Sequence, residues 1–79
     1  MKASEVRAKS DAELRDECAN RREEIWRLTF QGAVGQLEDA SLLRRARRDV
    51  ARILTVLRER ELAARTKADE VLNQEKSNG

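Results

Sequence analysis

Two stripes of apolar and small residues, separated by a short glycine-containing stretch, organise most of the chain. Leu14, Cys18, Ile25, Leu28 and Gly32 recur at steps of three, four and seven residues. That spacing places them on one side of a helix with 3.6 residues per turn. Leu43, Ala46, Val50, Ile53 and Leu57 follow a 3-4-3-4 spacing, the pattern of a helix lying nearly antiparallel against a neighbour. The signals at the ends agree. "SDAE" at 10–13 is a capping box, in which the Ser10 hydroxyl accepts from the Glu13 backbone N–H and the Glu13 carboxylate reaches back. Gly32 and Gly35 weaken the first helix, and "GQLED" reads as a connector whose Asp39 caps the second. The turn is expected at 35–39. A connector this short makes sequential helices pack antiparallel, as an αα-hairpin. "KASEVRA" carries a further short helical turn, with Val6 touching the hairpin end.

Past Glu61 the apolar spacing thins, and "QEKSNG" has no capacity for burial. The reading is a hairpin domain over 1–65 followed by a flexible extension over 66–79, although Ala63, Ala64, Val71 and Leu72 are able to prolong the helix.

Composition narrows the class. Charged residues make up 41% of the 79 positions, aromatics 3%, and proline is absent, which suits solvent-bathed helices and argues against a sandwich or barrel. The fold class is all-α. With one cysteine and no histidine there is no disulfide framework and no ligand set for zinc, so no metal or other cofactor is expected. No run of about 18–20 apolar residues exists to span a bilayer, and the N-terminus lacks the hydrophobic core of a signal peptide. A cytoplasmic location is expected. Catalysis finds no support, because there is no histidine base, glycine-rich phosphate loop or nucleophile elbow. No small-molecule substrate is expected either.

Charge is unevenly distributed. Residues 1–39 carry seven basic and nine acidic side chains, residues 40–60 seven and two, and residues 61–79 three and four. The middle block points to a polyanionic partner. On a helical wheel Arg44, Arg45, Arg47, Arg48, Arg52 and Arg58 spread over the arc opposite the apolar stripe. Arginine suits phosphate because its planar fork donates two parallel hydrogen bonds and its charge does not titrate away. These six are the candidate residues for binding a phosphate backbone. The competing reading is a solvated surface helix, with some arginines absorbed across the hairpin by Asp16, Glu17 or Glu24 and diluted locally by Asp49 and Glu59.

Trp26 and Phe30, one helical turn apart with Ala33 alongside, form a second, narrower stripe. They are candidates for contact with a nucleobase or a neighbouring protein, since stacking on a base supplies roughly 1–3 kcal/mol. The commoner role for such a pair, and the one expected here, is packing under the N-terminal turn or the flank of the second helix. Cys18, inside the seam, reads as a small buried hydrophobe.

"MKASEVRAKSDAEL", "LTFQGAVGQLED" and "RRDVARILTVLRERE", in that order and spacing, resemble the bacterial ribosomal protein twenty-nine family of the large subunit over about residues 1–61. Phe30-Gln31, Ala33, Gly35-Gln36-Leu37, Arg47-Arg48, Ala51-Arg52-Ile53 and Thr55-Val56-Leu57-Arg58 carry the likeness. Trp26 stands where phenylalanine is common, Gly32 where a larger apolar residue is usual, and Ala40 where many members have proline. The resemblance implies a long antiparallel hairpin bound to large-subunit ribosomal RNA. It also implies a position near the peptide exit tunnel, beside ribosomal protein twenty-three, on the surface where nascent-chain factors dock. It assigns no individual RNA contact and nothing to the residues after Glu61.

A different class stays open on the seam alone: a homodimeric coiled-coil adaptor in which the same stripes pair two chains. A DNA-binding regulator is weaker, for want of a recognition-helix pattern.

Overall fold

The computed structural model describes the backbone of residues 1–77 and the side chains of residues 1–72. Three helices follow one another: α1 (Ala3–Arg7), α2 (Asp11–Ala33) and α3 (Ala40–Ser77). α2 and α3 form the hairpin expected from the two stripes. Their antiparallel sense is visible in the ion pairs that cross between them. Asp11, at the start of α2, meets Arg60, far along α3, at 2.6 Å. Arg21, mid-way along α2, lies 3.8 Å from Asp49 in the first third of α3.

Local chemistry sets the boundaries. Ser10 Oγ accepts from the Glu13 N–H at 3.2 Å, satisfying one of the orphan donors of the first turn of α2. The reciprocal bond expected from Glu13 is not formed among the described residues. Its counterpart occurs in α1, where the Lys2 N–H donates to the Glu5 carboxylate at 3.3 Å. α2 ends because Gly35 takes a left-handed conformation, φ +75°. The reversal lets Gln36 N–H donate to Gln31 O at 2.7 Å and Gly35 N–H to Gly32 O at 3.2 Å, a double closure of otherwise unpaired carbonyls known as the Schellman motif. Asp39 then starts α3 by accepting from the Ser41 backbone N–H at 2.9 Å and from its hydroxyl at 2.6 Å.

The core is thin and continuous. Val6, Leu14, Cys18, Val50, Ile53 and Val56 cluster together, with Met1, Ile25 and Leu57 packed against them, and Leu28 and Ala46 are also buried. Leu14, Ile53 and Val6 are the largest fully buried side chains. Each stabilises the fold by roughly 1.5–3 kcal/mol relative to exposure. Val6 thus does more than touch the hairpin end. α1 lies along α3 and buries Val56, a position outside the second apolar stripe. Gly32, by contrast, is exposed rather than part of the seam. A Cβ built on Gly32 would meet Leu37 Cδ2 at 3.6 Å.

α3 does not stop near residue 65. At 38 residues it is far longer than the 23-residue α2, and it passes beyond the start of its partner. Residues 61–72 are exposed throughout, so tertiary burial does not hold this part helical. Composition does: alanine, leucine, arginine, lysine and glutamate are strong helix formers. Pairs one turn apart add to it, Arg58–Glu61 at 3.8 Å and Glu61–Arg65 at 3.5 Å. Of the 66–79 extension, residues 78 and 79 lie outside the described residues. Among the described residues no helix is long and apolar enough to cross a membrane.

Candidate nucleic-acid interface

All six arginines singled out from the sequence, Arg44, Arg45, Arg47, Arg48, Arg52 and Arg58, are exposed on α3. They divide into two groups. Arg52 turns toward the N-terminus and donates to the carbonyl of Met1, and Arg58 lies 3.8 Å from Glu61. Arg44, Arg45, Arg47 and Arg48 have no carboxylate within 4.0 Å among the described residues. Four guanidinium groups within the first turns of one helix repel one another and attract an external anion.

Four of the five acids able to dilute this face are occupied elsewhere. Glu24 pairs with Arg21 on its own helix at 3.3 Å, and Glu17 pairs with Lys9 at 2.9 Å; Asp16 makes no ion pair among the described residues. Glu59 faces Arg7 of α1 at 3.9 Å. Asp49 turns inward, where its carboxylate accepts from the Met1 ammonium at 3.2 Å and stands 3.8 Å from Arg21. The sequence reading missed that role. The signal was available: on the wheel Asp49 sits at the edge of the Ala46–Ile53 stripe, on the buried side of α3. Arg60, absent from the candidate face, is half-buried and donates to Asp11 and to the Arg7 carbonyl. It clamps the open end of the hairpin.

The titration of Asp39 registers the basic cluster. Its hydrogen bonds from Ser41 hold the carboxyl below the usual carboxylate range, and the charges of Arg45 and Arg44 lower it further. It remains an anion at neutral pH while capping α3.

Trp26 and Phe30 are not packed under the N-terminal turn or against α3, contrary to the expectation for such a pair. Trp26 is 75% and Phe30 59% exposed. α1 packs along α3 instead and never reaches this face of α2. The two rings are nearly parallel, 7° apart, with centroids separated by 6.5 Å. Cys18 is buried, as expected.

The sequence of this hairpin is matched by those of known proteins. The sequence profile of the family described as Ribosomal L29 protein matches residues 4–60. The chain belongs to that family. As a member it is a ribosomal protein of the large subunit, a helical hairpin whose setting is translation and whose surroundings are a ribonucleoprotein. Three relatives each carry the name Large ribosomal subunit protein uL29. That of Carboxydothermus hydrogenoformans is 48% identical over 63 residues, 80% of this chain and 91% of the relative. That of Persephonella marina is 49% identical over 63 residues, 80% and 93%. The Tropheryma whipplei protein is 44% identical over 71 residues, covering 90% of each chain. Its match reaches further than the other two, while the family profile stops at residue 60, where Arg60 closes the hairpin.

Proposed function

We propose that the chain is a structural constituent of the large ribosomal subunit, held to ribosomal RNA by the basic face of α3. Arg44, Arg45, Arg47 and Arg48 contact phosphates, with Arg52 and Arg58 at the flank. The observation that carries this reading is that the first four have no carboxylate within 4.0 Å among the described residues, while Glu17, Glu24, Asp49 and Glu59 are engaged elsewhere. Each guanidinium placed on a phosphate replaces a condensed counterion, and the release of those ions favours binding. The helix supplies a rigid rod on which the charges keep their spacing. The same reading takes the exit-tunnel position beside ribosomal protein twenty-three from the family resemblance. No bond is made or broken; the work is neutralisation and positioning of folded RNA.

Affinity of the full chain for transcribed large-subunit ribosomal RNA, measured across a salt series, tests the assignment. Replacing Arg47 or Arg48 by glutamine should flatten the log-affinity against log-salt slope by roughly 0.7–0.9 and leave helix content intact, since glutamine is a good helix former. Glu23→Gln on the outer face of α2 should not weaken binding. Parental slopes for Arg44→Gln, Arg45→Gln, Arg47→Gln and Arg48→Gln alike would exclude the basic face as the RNA contact.

A further inference from the structure

The arginines leave unexplained the most exposed large apolar residue of the protein. Trp26 and Phe30 occupy the outer face of α2, turned away from α3, at the connector end of the hairpin. They line an open groove of about 320 Å³ with Arg22, Ile25, Thr29 and Ala33. No carboxylate lines this groove, and Arg22 has no acid within 4.0 Å among the described residues. The chemistry on offer is therefore two parallel aromatic faces, one hydroxyl and one unpaired cation.

From this arrangement we propose that Trp26 and Phe30 form a stacking platform for an unpaired base of ribosomal RNA, with Arg22 on the phosphate of the same nucleotide. The proposal rests on the ribosomal RNA reading above and adds a second contact of different chemistry. A nucleotide is the ligand that combines a flat π-face with a nearby anion, and single-stranded loops and bulges present such bases to aromatic side chains. The parallel rings suit it, because offset stacking prefers parallel planes. Position matters as much. Trp26 to Ala33 form the last turns of α2 and Arg44 to Arg48 the first turns of α3. One end of the hairpin therefore carries a phosphate-binding surface on one helix and a base-binding surface on the other.

Trp26 is the sole tryptophan and the chain has no tyrosine, so its emission reports this groove alone. The full chain is titrated with transcribed large-subunit ribosomal RNA and, separately, with inorganic polyphosphate, which offers the charges without the bases. The RNA should quench Trp26 emission, and polyphosphate should bind without quenching. Phe30→Ala should reduce the quenching. Trp26→Ala should weaken RNA affinity by about 5- to 150-fold, the equivalent of one base stack, at every salt concentration and without changing the salt slope. Trp26→Phe should restore most of the affinity. Because both rings lie outside the core, circular dichroism should show unchanged helix for all three variants.

Unquenched emission at saturating RNA, with parental affinity for Trp26→Ala, would overturn the platform. In that case slopes flattened by the arginine variants would leave the basic-face reading standing. Parental binding of Trp26→Ala to naked RNA, with loss from subunits reconstituted with all their proteins, would also overturn it and assign the groove to a protein neighbour. A wild-type chain that bound no RNA would bring down both readings together.

Discussion

The ammonium of Met1 donates to the carboxylate of Asp49 at 3.2 Å, and the side chains of the two residues are only 8% and 13% exposed. One residue thus ties the start of the chain to the first third of α3. The carbonyl of the same methionine accepts from Arg52, so Met1 is held at both ends and its side chain packs against the core.

Asp49→Asn should consequently destabilise the fold by roughly 1–3 kcal/mol, the usual cost of removing a charged hydrogen-bond partner from a largely desolvated pair. Thermal melting followed by circular dichroism measures it. The same substitution removes no arginine, so RNA affinity of the folded protein should not fall. An unchanged melting temperature would show that the N-terminus is not anchored here.

Ile53 is fully buried and Leu28 nearly so. Truncating either to alanine should cost roughly 2–4 kcal/mol, because lost transfer energy is joined by the cavity left behind. In so thin a core that loss should leave much of the free protein unfolded. Helical ellipticity at 25 °C is the readout, and Ile53→Val, at about 0.5–1.5 kcal/mol, should fall between the wild type and the alanine variants.

Two glycines three residues apart should respond in opposite directions. Gly32 has ordinary helical backbone, and a methyl group there would only touch Leu37 at van der Waals distance. Gly32→Ala should stabilise by about 0.5–1 kcal/mol, chiefly through the unfolded chain. Gly35 stands at φ +75°, where a Cβ costs about 1–2 kcal/mol, and Gly35→Ala should lower the melting temperature. Stabilisation by both would mean that α2 ends in some other way.

Truncation after Arg65 should leave the melting temperature nearly unchanged, since the side chains of residues 66–72 are exposed and none belongs to the core. RNA affinity should stay within a few-fold. A large loss of affinity would show that the protruding end of α3 docks on RNA or on a neighbour.

These particulars also show what a sequence conveys. Ser10, Gly35 and Asp39 act through bonds to residues two or three positions away, so their roles can be read locally. The 3-4 spacing of Val50, Ile53 and Leu57 likewise reports one partner helix. Val56 was not legible, because its burial depends on α1, a second neighbour that the periodicity of α3 does not encode. Gly32 lay on the stripe but outside the core, because a stripe gives direction and not depth of burial. The length of α3 was underestimated by treating burial as a condition for helix, whereas its overhanging part rests on propensity and pairs such as Glu61–Arg65. The six arginines came out exposed as read, but the distinction between the paired Arg52 and Arg58 and the unpaired four needed coordinates. So did the bare rings of Trp26 and Phe30, since only the path of α1 reveals that nothing in the chain covers them.

Because the partners of Met1 and Val6 include Asp49, Ile53 and Val56, the order of synthesis matters to this fold. With 48 positions between Met1 and Asp49 and translation at about 5–20 residues per second, the N-terminal segment waits roughly 2–10 seconds for its binding surface to be made. Throughout that interval α2 has only its caps and intrinsic propensity to hold it, and its apolar side faces water. The newborn chain is thus most exposed to proteases and to premature association until residues 49–56 have been made.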